Sequence, residues 1–180
     1  MSAKYIFINI FFLCYSLSSN AFMVKMNGEL VENACEIAPD SINKDVVFQD
    51  ISVKDINSGG SIYLKKKFSL RFINCDLSTF HTLKLKFFAI KESEMLGDKD
   101  YYVRVNGVNA NKIGIGLLNS DFSPLKLEEY HNNNLGSAIS GKEIIVDFFA
   151  FIKGTPDAIL NNSIVPGSYD ATATFEVFYE

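Results

Sequence analysis

The side chains of this 180-residue chain that could do chemistry are two histidines, His81 and His131, three cysteines, and a few paired acids. The histidines stand fifty positions apart, and neither lies in a nucleophile, metal-ligand or acid–base motif. Both read as surface or turn residues. Glu128-Glu129 and Asp98/Asp100 read as solvated loop acids. Asn161-Asn162-Ser163 matches a glycosylation sequon by spacing alone. Lys65-Lys66-Lys67, at a strand start, reads as solubility and edge protection rather than phosphate binding. So little His and Cys leaves little material for a metal site, no metal or cofactor is expected, and an enzyme is not expected. What remains is the chemistry of Cys14, Cys35 and Cys75, which depends on compartment.

The compartment is written in the first residues. Lys4 precedes the apolar run Tyr5–Tyr15, which ends in Ser16-Leu17-Ser18-Ser19-Asn20-Ala21. A positive start, a short apolar core and small residues at the end describe a secretory signal peptide over residues 1–21. The run is too short for a membrane span of about 20 apolar residues. Residues 22–180 are then expected to form one domain carrying Cys35 and Cys75. Two cysteines in an exported chain read as one disulfide, closing a loop of about 40 residues. Lys and Arg total 17 against 21 Asp and Glu, a balance too mild and too acidic for a nucleic-acid partner.

The elements that position these residues read as strands. Phe68, Leu70 and Phe72 alternate with polar residues, as do Leu83, Leu85, Phe87 and Ala89. Ile144, Val146, Phe148, Ala150 and Ile152 share one apolar face, opposite Ile145, Asp147, Phe149 and Phe151. Turn signals at Asn57–Gly60, Asn106-Gly107, Asn132–Asn134, Gly154–Pro156 and Pro166-Gly167 separate the runs. A single short helical turn is expected around Leu125–Tyr130. The pattern predicts an all-β, two-sheet Greek-key sandwich of immunoglobulin-like type.

Both ends of that domain have an unusual shape. Phe22, Val24, Met26, Gly28 and Leu30 would line one face of a strand over residues 22–31. Chain ends are usually polar and frayed unless tied down, so this strand calls for a partner surface. At the other end Tyr169, Ala171, Ala173, Phe175, Val177 and Tyr179 alternate with polar residues. Such a strand is either an exposed edge or the centre of a sheet, and the pattern leaves both open.

These ends resemble those of the pilins of chaperone–usher fimbriae, the type 1 and P pilus subunits. The resemblance rests on Gly28–Val31 before Cys35, Asn74-Cys75-Asp76, Ile113–Leu118, and Phe149-Ala150-Phe151. Its most specific part is an alternating strand bracketed by Gly167 and the penultimate Tyr179. The resemblance implies an incomplete immunoglobulin-like sandwich that lacks its last strand and leaves a groove for a donor strand. It implies Cys35–Cys75 as the family's disulfide and Gly167–Tyr179 as the strand bordering the groove. A periplasmic chaperone, an outer-membrane usher and neighbouring pilins are the implied partners, and donor-strand exchange the implied chemistry of assembly. Residues 22–31 would be the donor extension, short as in minor tip subunits. The implied role is a structural subunit of a surface fimbria for adhesion. The readings beside it are a tip-adaptor or terminating subunit, and a self-contained secreted sandwich that binds a ligand.

Overall fold

Alternating side chains turn residues 66–73, 82–88 and 143–154 into the long strands, and shorter pairings around them complete two sheets and a small ribbon. The computed structural model describes residues 34–59 and 65–180. The expected leader 1–21 and the expected donor residues Phe22, Val24, Met26, Gly28 and Leu30 lie outside those residues. In chain order the elements are β1 (Glu36–Ile37), α1 (Pro39–Ile42), α2 (Val53–Asn57), β2 (Lys66–Ile73) and β3 (Thr82–Phe88). A single 3-10 turn at Lys99–Tyr101 leads into β4 (Tyr102–Arg104), β5 (Asn106–Gly107), β6 (Ile113–Leu118), β7 (Pro124–Leu125) and β8 (Ser137–Ala138). The chain ends with β9 (Glu143–Gly154), α3 (Pro156–Leu160), β10 (Tyr169–Asp170) and β11 (Thr174–Tyr179).

One antiparallel sheet runs β1-β2-β9-β6-β4, with β7 also paired to β6. The other runs β11-β3-β8, and β10 pairs with β5 as a small ribbon. Side chains alternate along each strand, so one face of each sheet is apolar. Leu70 and Phe72 of β2 and Val146, Phe148 and Ala150 of β9 meet Leu83, Leu85 and Phe87 of β3 in the core between the sheets. Phe87 stands edge-on to Phe148 at 5.1 Å, the arrangement that the quadrupoles of two rings favour. The Cys35–Cys75 disulfide joins the chain ahead of β1 to the end of β2 within this core.

A second cluster closes one end of the sandwich. Thr155 caps α3, its Oγ1 accepting the Ala158 N–H at 3.4 Å, and Pro156 follows at the first helical position. The helix then buries Ala158 against Ile56 of α2, with Val105, Ile113, Ile152 and Ile164.

Two local expectations are corrected. No helix forms around Leu125–Tyr130; β7 is followed by a turn with Glu128 at φ 67°, and Tyr130 bridges to Lys86. Leu125 and Leu127 are both buried in the sandwich core. Residues two apart share a side of an extended chain but not of a helix, so burial of this pair selects the extended form. Asn106-Gly107 is a strand, not a turn, and the turn comes just after it. Gly107 has φ 108°, and a Cβ there would strike the Ser168 carbonyl of the neighbouring chain. The glycine serves close approach of two backbones.

Candidate functional site

The site is a gap between the edges of the two sheets. β11 pairs with β3 through the full register from Thr174↔Phe88 to Tyr179↔Leu83. Its other edge has no strand beside it among the described residues. Its inward residues Phe175, Val177 and Tyr179 are only half-buried, whereas Leu83 and Leu85 of β3 are fully buried. A strand in the centre of a closed sandwich would bury its inward row as β3 does. Of the two readings left open by the sequence, the edge is the one observed.

The opposite lip is the stretch 34–51. Beyond α1, Val46 and Phe48 turn inward against the core while Val47 is 69% exposed. Among the described residues, no backbone hydrogen bond joins 34–51 to 169–179. Side chains alone span the gap. At one end the Tyr179 hydroxyl donates to the Cys35 carbonyl at 2.9 Å. At the other Phe48 meets Tyr169 at 6.4 Å between ring centroids. Between these anchors lie Phe175, 6.2 Å from Phe87, and the half-buried Val177 and Ala171. Burial pushes the hydroxyls of Tyr169 and Tyr179 above the ordinary tyrosine range, so both stay protonated donors at neutral pH.

The expected single strand Gly167–Tyr179 is divided. Tyr169 lies in β10 and Phe175, Val177 and Tyr179 in β11, while Ala171 and Ala173 sit in the crossover from one to the other. The chain has to leave the ribbon beside β5 and join the smaller sheet, and the small alanines accompany that change. Gly167 precedes β10, exposed, against Val108. Val46 and Phe48 were missed at the sequence level, because their alternation spans too few residues to register as a strand.

The remaining chemical residues are placed as follows. His81 is exposed at a turn, as expected, and its N–H donates to the Glu180 carbonyl at 2.8 Å. His131 is not a surface residue: it is 3% exposed, packed edge-on against Phe148 at 5.6 Å. Burial lowers its pKa to about 4, so the ring is neutral at physiological pH. Asp100 and Glu128 are not merely solvated, since both lie 3.0 Å from Lys91. That pairing raises the Lys91 pKa and lowers that of Asp100. Lys67 pairs with Asp147 at 2.7 Å across β2 and β9. Among the described residues no cluster of His, Cys, Asp and Glu could hold a metal ion. The arrangement can do one thing with its open lips: offer backbone hydrogen bonds and apolar positions to an added strand.

Comparison with known proteins points the same way. A family described as Fimbrial protein matches residues 24–180. The fimbrial adapter PapK of Escherichia coli is 34% identical over 158 residues, covering 87% of this chain and 86% of that protein. Among solved structures, the P pilus rod subunit PapA superposes with a TM-score of 0.62 at 16% identity, over 82% of this chain and all of that one. A chaperone–usher pilus structure gives a TM-score of 0.64 at 18% identity, over 92% of this chain and 99% of its own. These two share the sandwich fold.

Proposed function

The chain belongs to the fimbrial protein family, and from that premise we propose that it is a pilus subunit of adaptor type, completed in its open groove by a strand from another protein. It is a structural protein, not an enzyme, exported through the periplasm to a cell-surface fimbria. Its partners are a periplasmic chaperone, an outer-membrane usher and neighbouring pilins. The adaptor placement rests on likeness to PapK along most of both chains.

The observation that carries the reading is the half-buried row Phe175, Val177 and Tyr179 facing 34–51 across a gap without backbone hydrogen bonds. An open strand edge of this kind is an aggregation hazard unless something covers it. A chaperone strand covers it during export, and the extension of the next subunit replaces that strand on assembly. The subunit's own residues 22–31 supply the corresponding extension, with Phe22, Val24, Met26, Gly28 and Leu30 as its groove-facing row. Gly167, Tyr169, Ala171, Ala173, Phe175, Val177 and Tyr179 make the receiving wall.

The test is complementation. The subunit lacking residues 1–31 is refolded with and without a peptide carrying a donor sequence. The expected result is a stable monomer only with peptide, and self-association without it. A well-folded monomer indifferent to the peptide would overturn the reading.

A further inference from the structure

The larger sheet carries a second apolar site on the face turned away from the core. Alternation along β9 sends Phe148 and Ala150 into the core and Phe149, Phe151 and Lys153 to the other side. There a cavity of about 400 Å³ opens, walled by Tyr102, Phe122 and Phe151 and rimmed by Lys65, Lys153 and Asp98. Gly116 lets its aromatic wall lie close against β6: a Cβ there would collide with the Phe151 ring and stand 3.1 Å from the Tyr102 ring.

Two features set this cavity apart from an ordinary surface dimple. Phe122 has φ 65°, a conformation that a bulky residue rarely holds. Its loop is locked there: the Phe122 N–H donates to the Asn119 carbonyl at 3.0 Å, and Asp121 accepts from the Ser123 N–H at 2.9 Å and hydroxyl at 2.6 Å. The ring is thereby held against Phe149 at 4.6 Å while still 49% exposed. The lysines are the second feature. Lys65 Nζ lies 4.1 Å from the centroid of Phe122 and Lys153 Nζ 5.3 Å from that of Tyr102. Among the described residues, neither has a carboxylate within 4.0 Å, whereas Lys67, Lys91 and Lys126 each have one.

We propose that this cavity binds a small carboxylate borne on a six-membered ring. A purely apolar ligand would leave two unpaired ammonium groups at its edge. A bare inorganic anion would make no use of the aromatic walls. A ring with an apolar face stacks on Phe151 and Phe122, its carboxylate reaches the two ammonium groups, and Asp98 accepts from ring hydroxyls where the ring has them. The chemistry fits an acidic sugar or an aromatic carboxylate, and both sources are tested.

The experiment titrates the chaperone-bound subunit with glucuronate, benzoate and neutral glucose, using calorimetry and ligand-detected NMR, with the chaperone alone as the blank. Binding of either carboxylate but not of glucose is expected, weakened about tenfold in Lys65→Met/Lys153→Met. Raising the salt concentration weakens it in the wild type as well, which needs no variant. Glucuronate binding assigns an acidic sugar, and benzoate binding alone an aromatic acid. No carboxylate binding, glucose binding as tightly, or affinity indifferent to both lysines and salt would each overturn the proposal.

Discussion

His131 pairs with Leu85 twice: its backbone N–H donates to the Leu85 carbonyl at 2.8 Å, and its Nδ1 accepts the Leu85 N–H at 2.9 Å. One residue thus does the work of a strand on the side of β3 opposite β11. With Nδ1 accepting, the ring proton sits on Nε2 and donates to the Ser137 hydroxyl at 2.8 Å. The floor of the groove is therefore fixed from behind by a neutral imidazole.

That geometry predicts a pH dependence. The folded pKa of His131 is lowered to about 4, below its unfolded value of 6.5. The unfolded chain therefore binds more protons between these values, and stability falls as pH drops from 6.5 towards 4. The loss amounts to about 3 kcal/mol across that window. Urea unfolding of the peptide-complemented subunit should show this slope, and His131→Gln should flatten it. Asp40, Asp76, Asp121 and Asp147 also have lowered values, through hydrogen bonds to Arg71, Ser78, Ser123 and Lys67 respectively. Their contributions fade only at lower pH, because each starts from 3.8. A slope that persists unchanged in His131→Gln would assign the effect elsewhere.

The disulfide gives a second expectation. Cys35–Cys75 closes a separation of 40 residues and lies at the lip where Tyr179 meets the Cys35 carbonyl. Cys35→Ser/Cys75→Ser should cost about 4 kcal/mol by the chain-entropy argument. It should also loosen the Tyr179 anchor, so chaperone-bound yield should fall along with the urea midpoint. Unchanged yield with a lowered midpoint would separate the bridge from the groove.

Alternation along β11 makes a sharper test, because adjacent residues have opposite roles. Val177 is half-buried and faces the gap, while Phe178 is 46% exposed and leans on Tyr130 at 5.8 Å. Val177→Asp places a charge where an added strand would bury it, at a cost of several kcal/mol. Capture by the chaperone should be lost. Phe178→Ser changes the outer face and should leave capture intact. Co-purification from the periplasm reads both, and equal behaviour of the pair would contradict the assigned face.

The long strands were legible in the sequence for a physical reason. β2, β3 and β9 repeat the two-residue period often enough to be distinguished from a helix or coil. β1, β5, β7, β8 and β10 hold two residues each and have no period to read. They exist because the sandwich brings partners alongside, as where Gly107 of β5 pairs with Tyr169 of β10. His131 was hidden for a related reason, since a lone histidine in an Asn-rich turn carries no sign of the strand that it completes. The wall from Tyr169 to Tyr179 was readable by alternation, but Val46 and Phe48 opposite it were not. One lip of the groove has a repeating pattern, and the other has too short an alternation to read.

The separation of groove and extension along the chain leads to a test of polarity. If residues 22–31 donate and 34–51 with β11 receive, the two activities can be removed one at a time. Met26 is the middle of the apolar row in the extension. Its burial in a neighbour's groove would contribute about 1.5–3 kcal/mol, and a carboxylate there would be strongly disfavoured. Met26→Asp should therefore be captured by the chaperone at wild-type levels and should accept a donor peptide, yet fail to insert into the next groove. Val177→Asp should fail at the earlier step of capture. Mixed with wild-type subunits, Met26→Asp should stay out of growing fibres and shorten them as its dose rises, because a copy that can receive a strand but donate none cannot join the subunit ahead of it. Electron microscopy of fibre length, alongside chaperone co-purification, reads the two steps separately. Loss of chaperone capture by Met26→Asp would mean that the extension also supports the receiving fold, and the two activities would not be separable.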